Sequence, residues 1–422
     1  MIYLLLFYIL FFSIFCFKNL KYGFLWTLFF LPVYQIRFDI GIPTNLLEIN
    51  ILILFLIWIL SILKQKKVKE SFCFLKKDKL FLWGVILFLG AATLSTLVSG
   101  NLLSALGIWK AYFVEPFLLF LVFVNIWKKK DFGLLLKVLA IQVLVLSLFA
   151  GYQKITGGFI SNHFWQAVET RRVTSFFAYP NALALYVTPL VAMFLGYGIY
   201  LKKVNWKKSL FFLLVFVIGF FTIYWTKSKG ALISVVASLF FYTLFFKNFR
   251  KYFIYLIVSL LVGFGIFVAS MGLGDFDLRG QATVEGGDSV SVRQDMWLET
   301  SQMLGDNFWT GAGLASYQEK MAPYHLKDYI EIYLYPHNFV LNFWSEIGLL
   351  GLVGFLILTG WFFGKRQNSI SEKNSAKIWI IKAGMFGLLV HGLVDVPYFK
   401  NDLAVLWWVI VGLLFVMDNI ET

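Results

Sequence analysis

Apolar runs of about 20 residues, each long enough to cross a bilayer as a helix, recur along the whole chain. Such runs leave little choice of architecture. They read as membrane spans near 1–17, 22–36, 45–63, 80–99, 110–127, 132–151, 181–201, 209–226, 230–246, 252–270, 338–363, 377–395 and 402–418. The second and ninth are short, so the expected total is about 12 to 14. Gly and Pro within the runs are compatible with helices, because neighbouring helices satisfy the freed backbone groups. With 60% hydrophobic residues, 14% charged residues and a mean hydropathy of +0.77, an ordinary soluble domain is excluded. The expected fold is an all-α polytopic helical bundle with one large extracytoplasmic loop.

Charge orients this bundle. Seven lysines lie between Lys64 and Lys79, and further clusters are Lys128–Lys130, Lys202/Lys203/Lys207/Lys208, Lys247/Arg250/Lys251 and Lys365/Arg366/Lys373/Lys377. All fall in alternate loops of the map, as the positive-inside rule requires. With Lys18 and Lys21 they hold 23 of the 37 basic residues, so the net charge of +14 is mainly topological. Attraction to anionic lipid is a further possibility, and membrane lipids are expected partners. No aromatic-basic motif accompanies the charge, so no nucleic-acid partner is expected. The C-terminus falls on the cytoplasmic side and the large polar loop faces outward.

The first 17 residues lack a positive n-region and a small-residue cleavage site, which fits a retained first span better than a signal peptide. Cys16 and Cys73 offer neither a disulfide framework nor zinc spacing. No cofactor is expected: the chain carries no GxxxxGK[ST] phosphate loop, and its cytoplasmic loops are short and basic.

Chemistry at the membrane boundary is expected on the outward side. In ETRRVTSFFAYPNALALYVTPL, Arg171 and Arg172 precede a helix starting near Pro180. An arginine beside a helix N-terminus binds anions, although arginines also rest at headgroup level without further function. In TKSKGALIS, Lys227 and Lys229 break the positive-inside pattern just before a helix near Gly230. That favours anion binding over simple snorkelling.

The 271–336 segment carries ten acidic residues and four basic ones, Arg279, Arg293, Lys320 and Lys327. Its glycine-rich start reads as flexible, and Ser289–Leu304 reads as an amphipathic helix with Val292, Met296, Thr300 and Met303 on one face. Arg293 and Trp297 are four apart and project together. The guanidinium suits two phosphate oxygens, and the indole suits fixing its plane or stacking on a sugar. An ordinary helix ion pair is the competing reading. Gly311 and Gly313 precede a short helix carrying Tyr317, where backbone can approach a ligand or simply turn.

Tyr335-Pro336-His337-Asn338 ends the segment at the edge of the next apolar run. His337 is suited to taking a proton from a hydroxyl near neutral pH, and Asn338 to orienting substrate or capping the helix. Glu346, inside the apolar helix, needs a partner. His391 and Asp395, four apart near the outer end of the penultimate span, are expected to bond to each other, more as a packing pair than as a catalytic one. His325 and Asp328 are too few for a metal site.

In this order, RRVTSFFAYPNALA, TKSKGAL, SVRQDMWLETSQML, TGAGLASYQ and PHNFVLNFWSEIGLLGLVGF resemble the O-antigen ligase and polymerase superfamily of polytopic bacterial glycosyltransferases. The resemblance covers about 150–420 and divides the chain into N-terminal transmembrane helices, 1–150, and a ligase-like region, 151–422, that includes loop 271–336. It implies a GT-C-like bundle in the bacterial inner membrane with its active site on the periplasmic face. It also implies inverting, metal-independent transfer of a glycan from undecaprenyl pyrophosphate to a hydroxyl of a lipid, glycan or protein. The family arginine matches Arg293, and the family histidine before Asn matches His337. The second basic position matches Lys229, where Lys replaces Arg and loses the planar fork. Arg172 matches a further basic position. Trp297, Asn338, Gly311, Gly313 and Tyr317 are expected near substrate, with Glu346, His391 and Asp395 in support.

Two rivals carry the same features. A flippase or transporter of lipid-linked glycans is also polytopic, but transporters concentrate charge at the midplane and often show repeated halves, and this chain shows no repeat. A polysaccharide polymerase differs from a ligase only in its acceptor.

Overall fold

A computed structural model describes residues 2–39, 43–245, 289–326, 331–365 and 372–418, with isolated positions between 250 and 262. The first part of the outward loop, 271–288, most of the span expected at 252–270, and Asp328 therefore lie outside the described residues.

The architecture is all-α. Helices α1 (Ile2–Lys18) and α2 (Leu20–Phe29) lead through a short 3-10 turn, Leu31–Gln35, into a small antiparallel pair, β1 (Arg37–Asp39) and β2 (Pro43–Asn45). The span expected at 22–36 thus stops at Phe29, ahead of Pro32, whose missing N–H cannot continue the ladder. There follow α3 (Leu46–Lys64), α4 (Val68–Lys77), α5 (Lys79–Leu97), α6 (Leu102–Ile108), α7 (Glu115–Ile126), α8 (Phe132–Thr156), α9 (His163–Gln166), α10 (Pro180–Leu201), α11 (Trp206–Trp225) and α12 (Lys229–Phe245). A π-helical stretch, Trp109–Val114, joins α6 to α7. The described part of the outward loop holds α13 (Ser289–Asp306) and α14 (Tyr317–Met321), and beyond the loop lie α15 (Phe339–Gly364), α16 (Glu372–Gly392) and α17 (Asn401–Asp418).

Among the described residues, eight helical segments are long and apolar enough to cross a membrane, and two shorter apolar helices, Tyr3–Lys18 and Lys229–Leu244, accompany them. Asparagines start several of these elements: Asn45, Asn205 and Asn338 each accept a first-turn N–H, satisfying donors that a helix start leaves orphaned. At the centre, α10 and α17 are buried along almost their whole length. Around them α5 packs on α15, α7 on α17, and α16 on both α10 and α12, so helices from the two halves of the chain interleave.

The two ends of the bundle differ in charge. At one end Asp78 accepts from Trp361 Nε1 at 2.6 Å and from Lys365 Nζ at 2.7 Å, while Lys365 also reaches Asp418 at 3.2 Å. Lys382 caps the carbonyls of Phe363 and Lys365 at 2.9 and 3.0 Å. This is the end carrying the lysine clusters. The opposite end of α15, about 39 Å away by helical rise, carries His337 and Asn338.

α15 is interrupted at Ile347 and Gly348, where Gly348 adopts φ +69° and ψ 177°. The 309–316 loop fills that break. Ala312 and Gly313 donate to the Ser345 carbonyl at 2.7 and 3.2 Å, and Leu349 donates to the Trp309 carbonyl at 3.1 Å. A Cβ on Gly348 would lie 2.4 Å from Trp309 O, and one on Gly311 would lie 2.2 Å from Trp344 O. These glycines serve backbone contact inside the protein.

Candidate active site

His337 sits just before α15 with φ +48°, in the left-handed region that few non-glycine residues occupy. Two contacts hold it there. Asn338 caps α15 through Val340 N and Leu341 N at 2.9 and 3.2 Å, and its Nδ2 donates to the Leu393 carbonyl at 3.0 Å. From the other side Trp297 Nε1 donates to the Pro336 carbonyl at 2.8 Å. The indole thereby ties α13 to the histidine segment through its N–H. Tyr333 lies edge-on to the imidazole, with ring centroids 5.5 Å apart.

The imidazole faces Asp395, with Nδ1 3.2 Å from Oδ1. Asp395 is buried and also accepts from Val396 N at 2.9 Å. Burial alone would raise its pKa. The hydrogen bond and charge of His337, helped by His391 and the Val396 N–H, outweigh that and hold the carboxyl well below the usual range. An ionised carboxylate only accepts, so in the neutral imidazole Nδ1 carries the proton and Nε2 offers its lone pair.

This pairing corrects the sequence reading, which joined Asp395 to His391. α16 ends at Gly392, so positions 391 and 395 no longer share a helix face. Gly392 packs against Pro397, and the chain turns there. His391 is buried, its Nδ1 without a hydrogen-bond partner among the described residues, and it lies behind Asp395.

Arg172 and Arg293 lie beside this pair, and Lys229 opens a helix that starts near His391. Arg172 Nε donates to the Thr226 carbonyl and its NH2 to Asn181 Oδ1, both at 2.8 Å, fixing the guanidinium at the start of α10. Burial lowers its pKa to about 10, with the charge of Arg293 adding to the effect and Asp395 opposing it. Arg293 is thus close enough to act on Arg172. It occupies α13 one turn before Trp297, whose tie to Pro336 brings that helix against the histidine. Lys229 opens α12, and a Cβ on the next residue, Gly230, would lie 2.7 Å from Val394 and 3.1 Å from the His391 ring. A side chain at 230 would press on Val394 and the His391 ring, so glycine suits this close start of the helix. Lys227, with φ +53°, donates to the Glu169 carbonyl at 3.1 Å, and burial lowers its pKa.

Other expected site residues make contacts within the protein. Gly311 and Gly313 fill the α15 break, about 16 Å along the helix from His337. Tyr317 is buried and hydrogen-bonds Thr300 at 2.7 Å, anchoring the apolar face of α13 formed by Met296, Thr300 and Met303. Glu346 is buried and accepts from Ala315 N at 3.0 Å, the partner its position required. His325 bonds Glu299 at 3.0 Å, and among the described residues no three His, Cys, Asp or Glu are grouped to hold a metal. Sequence reasoning missed the Asp395–His337 bond and the Asn181 and Thr226 supports of Arg172. No local spacing signals contacts between segments this far apart.

The fold and this cluster define a multi-pass membrane protein with a histidine–carboxylate pair ringed by cations at one end of its bundle. Residues 214–356 match the family model of the O-antigen ligase domain, which supports the O-antigen ligase and polymerase superfamily and a membrane enzyme of that type. The matched range includes Lys229, Arg293, Trp297 and His337; Arg172 and Asp395 lie outside it. No curated protein matches the chain.

Proposed function

We propose that this protein transfers a glycan from an undecaprenyl-pyrophosphate carrier to an acceptor hydroxyl at the extracytoplasmic face of the bacterial inner membrane. The observation that carries the reading is the His337–Asp395 pair with Arg172 and Arg293 beside it, at the end of the bundle opposite the lysine clusters. The positive-inside rule makes that end the outward one.

The chemistry is a single displacement. His337 Nε2 takes the acceptor hydroxyl proton while Asp395 stabilises the imidazolium that forms. The acceptor oxygen bonds to the anomeric carbon from the face opposite the carrier, and the bond from that carbon to the diphosphate oxygen breaks. The leaving diphosphate takes the electron pair, and the configuration inverts. Arg293, Arg172 and Lys229 stabilise the departing negative charge, so positive charge comes from side chains without a metal step. A cavity of about 390 Å³ among Phe29, Phe30, Val145, Leu146 and Phe176 adjoins the segment carrying Arg172 and suits the first isoprene units of the carrier.

Reconstitution with an undecaprenyl-pyrophosphate oligosaccharide and a choice of acceptors tests this reading. Expected is a new glycosidic bond, lost on His337→Ala with the protein still in the membrane. A ladder of products would mark a polymerase and a single block transfer a ligase. Translocated lipid-linked glycan with no new bond, unchanged in the His337→Ala protein, would mark a transporter and overturn the proposal.

A further inference from the structure

Asp395 stands on backbone that no helix fixes. It belongs to 393–400, the turns and bends between the end of α16 at Gly392 and the start of α17 at Asn401. Side-chain ties hold that segment instead. Asn338 reaches the Leu393 carbonyl on one side. On the other, three residues after Asp395, the buried Tyr398 hydroxyl donates to the Tyr112 carbonyl at 2.8 Å and accepts from Trp408 Nε1 at 3.2 Å.

The Tyr112 carbonyl is available for a reason written in the sequence. In an α-helix it would accept from the residue four places on. That residue is Pro116, which has no N–H and whose ring crowds the same carbonyl. The chain widens there into the π-helical stretch Trp109–Val114, and Glu115 N donates to the Lys110 carbonyl five residues back. Insertions of this kind recur at functional sites. Here the freed carbonyl receives the hydroxyl that anchors the Asp395 segment.

The same stretch also reaches the histidine side of the pair. Phe399 packs against Tyr112 and Phe113, with ring centroids 6.3 and 5.8 Å apart, and against Tyr335, two residues before His337, at 5.7 Å. Lys110 adds a polar tie: its Nζ lies 2.8 Å from Glu48 Oε2, and Glu48 Oε1 accepts from Asn401 Nδ2 at 3.4 Å. Ring packing alone leaves a turn free to slide along the contact. A buried hydroxyl bonded to a fixed carbonyl sets both distance and direction.

We propose that the π-helical stretch Trp109–Val114 positions Asp395 against His337, with Tyr398 as the positioning residue through which it acts. This rests on the transfer reading above and gives the N-terminal helices a part in it: they hold the carboxylate in register with the imidazole.

The test measures transfer by the full chain in nanodiscs for two variants. Tyr398→Phe keeps the ring and removes the donor; Pro116→Ala supplies an N–H that competes for the Tyr112 carbonyl while the hydroxyl stays. Each is expected to lower kcat about tenfold with the KM for the carrier unchanged, the size of one lost hydrogen bond. In an Asp395→Asn background Tyr398→Phe should cost nothing further, because its effect passes through the carboxylate. An equal loss in both backgrounds would mark a purely structural hydroxyl and overturn the proposal, as would wild-type kcat in Tyr398→Phe. Wild-type kcat in Pro116→Ala would overturn the part given to the π-helical stretch. Should Tyr398→Phe fail to accumulate in the membrane, Pro116→Ala decides alone. A second readout is independent of transfer: the imidazole N–H resonance of His337, assigned by its loss in His337→Ala, should shift in both variants. A shifted resonance without any glycosidic product from wild type would sink the transfer reading and leave the brace in place. Intact transfer with an unshifted resonance in both variants would do the reverse.

Discussion

His337 Nδ1 lies 3.2 Å from Asp395 Oδ1, a bond spanning 58 residues of sequence. It sets the tautomer of the imidazole, and it requires the left-handed backbone at His337, the α15 cap at Asn338 and the end of α16 at Gly392 together.

If His337 is the base, His337→Ala and His337→Gln should each lower kcat by about 10²–10⁴-fold, the range of general-base contributions. Asp395→Asn should lower kcat while leaving the KM for the carrier nearly unchanged, because Asp395 acts through His337. Steady-state transfer assays on membranes with matched protein levels check both. An Asp395→Asn protein with wild-type kcat would remove the pair from the chemistry.

The depressed pKa of Asp395 has a signed consequence for stability. A carboxylate held below its unfolded value stabilises the fold at pH values above that value, about 3.9, and the contribution fades as pH falls toward the folded pKa. The Tm advantage of wild type over Asp395→Asn in detergent should therefore shrink as pH falls below about 5. A gap that opens only on the alkaline side would contradict the assignment.

The cations should not be interchangeable. Arg293→Lys keeps charge but loses the fork, and is expected to cost about 10- to 100-fold in kcat/KM. Lys229→Arg should stay near wild type. Equal losses from the two changes would argue that only net charge matters.

Trp297→Phe keeps an aromatic ring but removes the 2.8 Å bond to the Pro336 carbonyl. Loosening of the tie should cost about tenfold in transfer with little change in Tm, since one hydrogen bond is worth about 1 kcal/mol. Unchanged transfer would show that α13 is held against the histidine segment by other contacts.

Gly348→Ala and Gly311→Ala test the break in α15. Each places a Cβ within 2.4 Å of a backbone carbonyl oxygen at positive φ, so each should destabilise the protein by about 3 kcal/mol. Reduced Tm and reduced membrane yield are the readouts. Wild-type Tm in both would mean that the loop does not seat in the break.

Much of the fold was legible because a bilayer leaves an apolar run of about 20 residues few alternatives to a helix. The amphipathic pattern of α13 was legible too: Met296, Thr300 and Met303 are buried as their spacing requires. At the site, local spacing was a poorer guide. It drew attention to His337, Arg293, Lys229 and Arg172, since basic groups against the topology rule and a histidine at a helix edge stand out from apolar surroundings. It misread the partners, because a spacing of four implies contact only if the helix continues, and α16 stops at Gly392.

By itself the sequence determined the all-α membrane class, the sidedness of charge and the residue types available for chemistry. These follow from hydropathy, helix length and the positive-inside rule, all local or additive properties. Only the tertiary structure decided that Asp395 faces His337, that Trp297 bonds the Pro336 carbonyl, and that Gly311 and Gly348 fit one loop into one helix break. Those relations join segments tens to hundreds of residues apart, and packing between helices, which no local pattern encodes, brings them into contact.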